Sequence, residues 1–389
     1  MVSRFLFVVP PLAGHIFPTV AVGKQLVDRG HVVAWAGHAQ TLGQLLPSEA
    51  KRFAVRADFG DQSLAQIRQR SVGLRGAAAF RFLWQDFVIP LATSMVPGIR
   101  AAVDRFTPDV VIVDQQTLAG ALVARERGLP WATSATTSAE LTDQFATTPA
   151  LGEWARQRVA SLQHSLGVSD PVDLRFSDHL VLAFTTAALI GSIYDFPDHY
   201  VFVGPAIGRR TGGEGFPWGW LKPDRERILV SLGTVNPTAG QRFFATAVAA
   251  VEPLADRLQA ILVAPPHLVD SPPDHVLVRE FVPQIDLLGH LHAVVSHAGH
   301  NTVCETLAHG LPLVVAPIRD DQPVIAQQVV TAGAGIRVHF GRVGSSELRA
   351  AITALLDDPR YRLAARRVQT SFNTAGGAAT AADYLEKLT

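Results

Sequence analysis

The chain is poor in several things, and each shortage removes a class of function. Cys304 is the only cysteine among 389 residues, so neither an intrachain disulfide framework nor a cysteine-based zinc site can form. As a lone thiol it reads as a small buried hydrophobe. Neither sign of charge is in surplus: 34 basic residues stand against 34 acidic ones, which argues against a nucleic-acid binder or a polybasic membrane anchor and leaves any anion site local. Lysine is scarce, occurring only as Lys24, Lys51, Lys222 and Lys387, and arginine carries nearly all the positive charge. No Asp-x-Asp pair occurs, so a metal-held diphosphate lacks its carboxylates. Long apolar runs are missing too. The run after Arg4 is broken by Pro10 and Pro11, shorter than a secretory h-region needs, and no unbroken apolar stretch approaches the length that spans a bilayer. The expectation is a cytoplasmic chain with no integral membrane segment, no metal and no nucleic-acid partner.

What is present is a strand-and-helix alternation over a chain too long for one ordinary core, which suggests two domains of roughly 150 to 200 residues each. Short β-branched or aromatic runs are predicted as strands at residues 4–9, 31–36, 110–114, 131–134, 180–184 and 200–203 in the first half. In the second half they fall at 227–232, 260–264, 276–279, 293–296, 313–316 and 335–338. Helical patterns separate them, the signature of βα units on two doubly wound parallel sheets. The stretch GPAIGRRTGGEGFPWGWLKPD, with six glycines, three prolines and no periodicity, reads as an interdomain linker. The division predicted is 1–205, a linker at 206–223, a second domain at 224–370 and a terminal helical segment at 371–389.

Ligands of open parallel sheets bind outside the carboxyl ends of the strands, so chemistry is sought there. In FLFVVPPLAGHIFPTVAVGKQLVDRGH a strand ends at Val9, a turn follows and His15 sits in it, before a helix from about Pro18. Gly14 has no glycine partner at the spacing of a dinucleotide fingerprint. A second strand, in DVVIVDQQTLAG, closes on Asp114. An aspartate accepting from one imidazole nitrogen fixes the tautomer and raises the basicity of the other, so this pair could deprotonate a hydroxyl. The alternatives are a helix-cap or surface role for His15 and a helix N-cap role for Asp114.

In the second half, ILVSLGTV turns through Gly233 with Ser231 and Thr234, and SHAGHNT offers Gly299 for close backbone approach before a helix from about Asn301. Two such turns, one backed by a helix amino terminus, suit a diphosphate.

HAGHNTVCETLAHGLPLVVAPIRDDQ resembles the donor-binding signature of family-1 nucleotide-sugar glycosyltransferases of the GT-B fold, REFVPQIDLL their base-recognition segment and PPLAGHIFP the segment of their catalytic histidine. The resemblance runs from His15 to Gln322. It implies two Rossmann-like domains facing a cleft, the first binding the acceptor and the second the nucleotide sugar, with the last helix returning to the first. It implies His15 with Asp114 as the catalytic pair. His297, Asn301 and Thr302 would hold the diphosphate, helped by Ser231 and Thr234, with Val282 and Gln284 at the base. Glu305 would accept from the ribose and Asp321 and Gln322 from or to the sugar hydroxyls. The residue at His300 varies in such relatives, and no role is assigned to it. The implied activity is inverting, metal-independent transfer from a UDP-sugar, UDP-glucose first, to a hydrophobic natural product by a bacterial protein acting as monomer or homodimer.

Two features are left for other readings. His290, His292, His297 and His300 lie within eleven residues, but no carboxylate pattern completes a zinc spacing. In FRFLWQDFV, the aromatics Phe80, Trp84 and Phe87 could line an acceptor pocket or equally belong to a core. The competing functions are a GT-B-like nucleotide-sugar epimerase or hydrolase and a non-catalytic nucleotide-sugar-binding protein.

Overall fold

The computed structural model describes residues 1–59, 62–71, 73–74, 76–141, 149–208, 210, 215–233, 237–269 and 271–389. The chain forms two compact units. Unit 1 is Met1–Thr185, Ile193–Gly208 and Ala375–Thr389, and unit 2 is Thr186–Ser192 and Arg209–Thr374.

Unit 1 holds a parallel sheet of seven strands: β1 (Arg4–Val8), β2 (Val32–Gly37), β3 (Lys51–Ala54), β4 (Val110–Asp114), β5 (Trp131–Ala135), β6 (Leu180–Ala183) and β7 (Tyr200–Phe202). Their order is β3-β2-β1-β4-β5-β6-β7. Unit 2 repeats the plan with six: β8 (Glu226–Ser231), β9 (Leu258–Val263), β10 (Val276–Arg279), β11 (Ala293–Ser296), β12 (Leu313–Val315) and β13 (Gly335–Arg337), in the order β10-β9-β8-β11-β12-β13. The central strands are buried along their whole length, as in β4 with VVIVD and β11 with AVVS, because helices cover both faces and leave no polar side to alternate with.

The strand order reverses direction between β1 and β4 in unit 1 and between β8 and β11 in unit 2. At such a switch point the connections leave in opposite directions and open a crevice at the strand ends. β1 and β4 pair with Val8 opposite Val113, and β8 and β11 pair with Ser231 opposite Ser296.

Several boundaries differ from those read in the sequence. β3, KRFA, was not expected; it is an edge strand whose Lys51 and Ala54 are exposed, so it lacks the apolar run that marks the others. The helix expected from Pro18 spans Ala13–Asp28 with Pro18 inside it, so His15 stands on its first turn. Pro18 is the sixth residue of that helix, past the first turn, so the helix forgoes there the hydrogen bond that an amide would donate to the carbonyl of Gly14. The linker is not independent: Phe216, Trp220 and Leu221 pack against Leu229, Leu287, Leu288 and Leu291 of unit 2. The helix Pro359–Ala375 runs past the expected boundary at 370, and the chain re-enters unit 1 at Ala375.

One helical run, Gly76–Phe106, is long and apolar enough to cross a bilayer by length and composition, unlike what the unbroken-run criterion suggested, but half of that window is buried within the protein. Its Leu91, Met95, Ile99 and Phe106 are core residues of unit 1.

Candidate active site

At the switch point of unit 1, three side chains close a hydrogen-bonded triangle. β4 delivers Asp114, whose side chain is wholly buried, and the first turn of Ala13–Asp28 delivers His15, whose side chain remains 17% exposed. His15 Nδ1 lies 2.9 Å from Asp114 Oδ2. Thr136, just past β5, donates its hydroxyl to Asp114 Oδ2 at 2.8 Å and stands 2.7 Å from His15 Nδ1. Asp114 Oδ1 accepts the Gln116 amide at 2.9 Å.

The triangle has one consistent proton arrangement. A carboxylate can only accept, and the single Thr136 proton is directed at it, so the proton between His15 and its two neighbours must sit on Nδ1. Nε2 then carries the lone pair. Asp114 is fixed from Oδ1 by a main-chain amide and from Oδ2 by a hydroxyl, so the imidazole is aimed by groups that cannot themselves move far. The sequence pointed to His15 and Asp114. Thr136 escaped it, because a threonine in WATSATTSAE carries no signal distinguishing it from its neighbours.

Unit 2 builds its switch point from turns. β8 and β11 both end on serine, and each hydroxyl accepts the amide two residues on: Gly233 N to Ser231 Oγ at 3.3 Å and Ala298 N to Ser296 Oγ at 3.2 Å. Gly233 and Ala298 both take left-handed backbone, φ 64° and 66°, unusual for alanine. Between the turns lies the His297 ring. A side chain at Gly233 would put its Cβ 2.6 Å from His297 Cε1, and one at Gly299 would put it 2.6 Å from Nε2. Both glycines are therefore required by the imidazole as well as by any ligand.

Burial pushes the His297 pKa down to about 4, against the pull of Asp321 and the Ser231 main chain. The ring is neutral, and its Nδ1 is shielded with no hydrogen-bond partner among the described residues. Gly299 is the N-cap of the helix His300–Ala308, so Asn301 and Thr302 occupy its first turn. An amide-rich helix end beside a neutral imidazole suits an anion.

The remaining donor-side residues fall as follows. Glu305 is buried, accepts from Gln284 Nε2 at 2.6 Å and is ion-paired with Arg210. Burial raises its pKa while Arg210 and Gln284 oppose that rise. Val282 is buried in the apolar cluster of Leu287 and Leu288. Gln322 Oε1 accepts the main-chain amides of Ile318 and Arg319 at 2.8 and 3.1 Å, fixing the loop before the helix Gln322–Thr331, of which Asp321 is the N-cap. Thr234 lies outside the described residues. Arg210 was missed because it sits in the stretch that reads as linker.

The four clustered histidines are dispersed in function. His292 Nδ1 accepts the Arg227 amide at 3.1 Å, His290 packs on Trp218 and the buried His300 approaches Cys304 Sγ at 3.5 Å. Among the described residues, no group of three or more His, Cys, Asp or Glu is placed to hold a metal. Trp84 and Phe87 are buried in the unit 1 core, Phe87 stacking on Phe59, while the half-buried Phe80 packs between Trp84 and Trp154. Trp84 also walls a cavity of about 190 Å³ with Ala155, Val159, Val172 and Arg175.

Comparison with known proteins covers nearly the whole chain. The family described as "Erythromycin biosynthesis protein CIII-like, N-terminal domain" matches residues 23–233, and that described as "UDP-glucoronosyl and UDP-glucosyl transferase" matches 227–371. The 4'-demethylrebeccamycin synthase of Lentzea aerocolonigenes is 26% identical over 427 residues, covering 100% of both chains. The crystal structure of the kitacinnamycin glycotransferase superposes with a TM-score of 0.77 at 26% identity, over 100% of this chain and 99% of that one. The glycosyltransferase VinC, solved in complex with dTDP, shares the fold with a TM-score of 0.77 at 20% identity, over 99% of both chains.

Proposed function

The chain belongs to the family-1 nucleotide-sugar glycosyltransferases of the GT-B fold, and from that membership we propose that it moves a hexose from UDP-glucose to a hydroxyl of a hydrophobic natural product, with inversion and without a metal. The observation that carries this reading is the His15, Asp114 and Thr136 triangle, which leaves His15 Nε2 as a base. Nε2 takes the acceptor proton as the acceptor oxygen attacks the anomeric carbon from the face opposite the nucleotide. The bond to the diphosphate breaks, and an α-linked donor becomes a β-glycoside. Charge grows on the departing diphosphate, and the helix end at His300, with His297, Asn301 and Thr302, is the part of unit 2 suited to stabilise it.

Glu305 as a ribose acceptor, and Asp321 with the NH2 of Gln322 as readers of sugar hydroxyls, favour UDP-glucose. A second donor has its own support. Arg210 and Gln284 already engage Glu305, which limits what it can accept from a ribose, and VinC carries dTDP. The relatives named for rebeccamycin and kitacinnamycin support a natural-product acceptor. Incubation with UDP-glucose or dTDP-glucose and a panel of hydroxylated aglycones, scored by mass spectrometry for a hexose gain, tests the reading. Transfer that persists in EDTA is the expected result. Epimerised or hydrolysed donor with no glycoside would replace transferase by the epimerase or hydrolase alternative, and activity restored only by a divalent ion would end the metal-free mechanism.

A further inference from the structure

Arg210 stands in the stretch before β8 that has no helical or strand periodicity, yet its guanidinium is spent on one buried carboxylate. Nη2 donates to Glu305 Oε1, and Nη1 lies 3.5 Å from Oε2. Gln284 Nε2 donates to Oε2 at 2.6 Å. Three segments of unit 2 thus meet at this carboxylate: the stretch before β8, the start of the helix Gln284–Leu288 and the helix His300–Ala308, which carries Glu305 itself. The Glu305 side chain is 4% exposed and that of Arg210 27%, so the arginine is the outer member of the pair.

A carboxylate reads a vicinal diol by accepting one hydroxyl on each oxygen. An arginine fork uses the same two oxygens, so a guanidinium and a ribose compete for one edge. Burial weights that competition. It pushes the Glu305 pKa up, and Arg210 opposes the rise more strongly than Gln284 does. Giving up the guanidinium would strip a buried carboxylate of the partner that keeps it charged, and a neutral hydroxyl does not replace that charge.

We propose that Arg210 is a specificity-determining residue of the donor site, capping Glu305 so that its carboxylate is withheld from the 2′-hydroxyl of a nucleotide. The protein then binds ribose and 2′-deoxyribose nucleotides alike: UDP-glucose remains a donor, and a deoxyribonucleotide sugar is not rejected for want of one hydroxyl. A site that paired that hydroxyl would reject the analogue lacking it. The inference rests on the proposed nucleotide-sugar site of unit 2, and it gives the stretch that reads as linker a part in donor choice.

The test compares UDP with 2′-deoxyuridine diphosphate, which share base and diphosphate and differ by one hydroxyl, by calorimetric Kd. The wild type should bind the two within about threefold of each other, less than one hydrogen bond to a charged group is worth. Arg210→Met uncaps Glu305, and the two Kd values should then part by about tenfold in favour of UDP. Adding Glu305→Leu to that variant should close the gap again, and Arg210→Lys, which keeps the charge, should behave as the wild type. Arg210→Ala repeats the comparison if Arg210→Met unfolds. A wild type that prefers UDP by more than about threefold, or an uncapped variant whose two Kd values stay within about threefold, would overturn the cap. Failure of both nucleotides to bind the wild type strikes the donor reading itself and the cap with it, whereas binding of both with a ratio that Arg210→Met leaves unchanged strikes the cap alone.

Discussion

The two units place their candidate site residues at the same topological position and build them from opposite materials. In unit 1, the crevice between β1 and β4 is filled by side chains that fix one another, an imidazole, a carboxylate and a hydroxyl in mutual contact. In unit 2, the crevice between β8 and β11 is made by removing side chains, with Gly233 and Gly299 cleared around a single buried ring. The difference follows from what each would handle. Moving a proton requires a group of defined tautomer, which only a network supplies, whereas holding an anion requires many main-chain amides brought close, which side chains obstruct.

The comparison can be broken most sharply at His15. His15→Ala should lower kcat by about 100-fold to 10,000-fold, the usual span of a general base, while the Kd for nucleotide is unchanged. A variant that binds nucleotide poorly, or turns over normally, would erase the division of labour.

The next largest effect concerns stability in acid. His297 is held neutral with a pKa near 4, against roughly 6.5 in an unfolded chain. Between those values the unfolded state binds the extra proton, so stability rises with pH there: the contribution is complete above about pH 6.5 and lost as pH falls toward 4. The swing is on the order of 3 kcal/mol. Urea unfolding at pH 4.5 and pH 7 should show it in the wild type, and His297→Asn should flatten it. An unchanged pH dependence in that variant assigns the effect to other groups.

Gly299→Ala sharpens the contrast from the side of unit 2. Its backbone, φ −64° and ψ 135°, suits alanine, so only the 2.6 Å approach to the His297 ring opposes the change. Overpacking of this kind costs about 1 to 3 kcal/mol, and nucleotide Kd should rise about tenfold while the pH dependence of kcat stays put. Thr136→Val should be the mildest. It removes one hydroxyl from the triangle at nearly constant shape, and a kcat reduction of roughly threefold to tenfold corresponds to one such hydrogen bond.

How far the sequence was legible varied with the kind of signal. The buried strands were readable because a strand covered on both faces is a continuous apolar run, whereas the edge strand β3, half solvated and holding Lys51 and Arg52, was hidden. Loop residues at strand ends were readable where glycine or histidine interrupts such a run. Residues marked by nothing but a long-range contact were not. Thr136 matters through a partner 121 positions away, and Arg210 through one 95 positions away, and neither separation leaves a local trace. Trp84 and Phe87 show the reverse: their cluster was visible, and the packing that makes them core was not.

The return of the chain to unit 1 has a consequence for how the protein is made. The helix Gly377–Glu386 buries Ala381, Ala382 and Leu385 and is tied to the residues just past the first helix of the fold by Arg29 to Asp383 and Glu386, at 2.7 and 2.8 Å, and by His31 to Glu386 at 2.8 Å. Residues 375–389 leave the ribosome only after all of unit 2, so unit 2 can fold during synthesis while unit 1 waits for its final piece. A ribosome-stalled or prematurely terminated chain would present a finished unit 2 joined to an unfinished unit 1, with the apolar face of the Ala13–Asp28 helix open to chaperones and proteases.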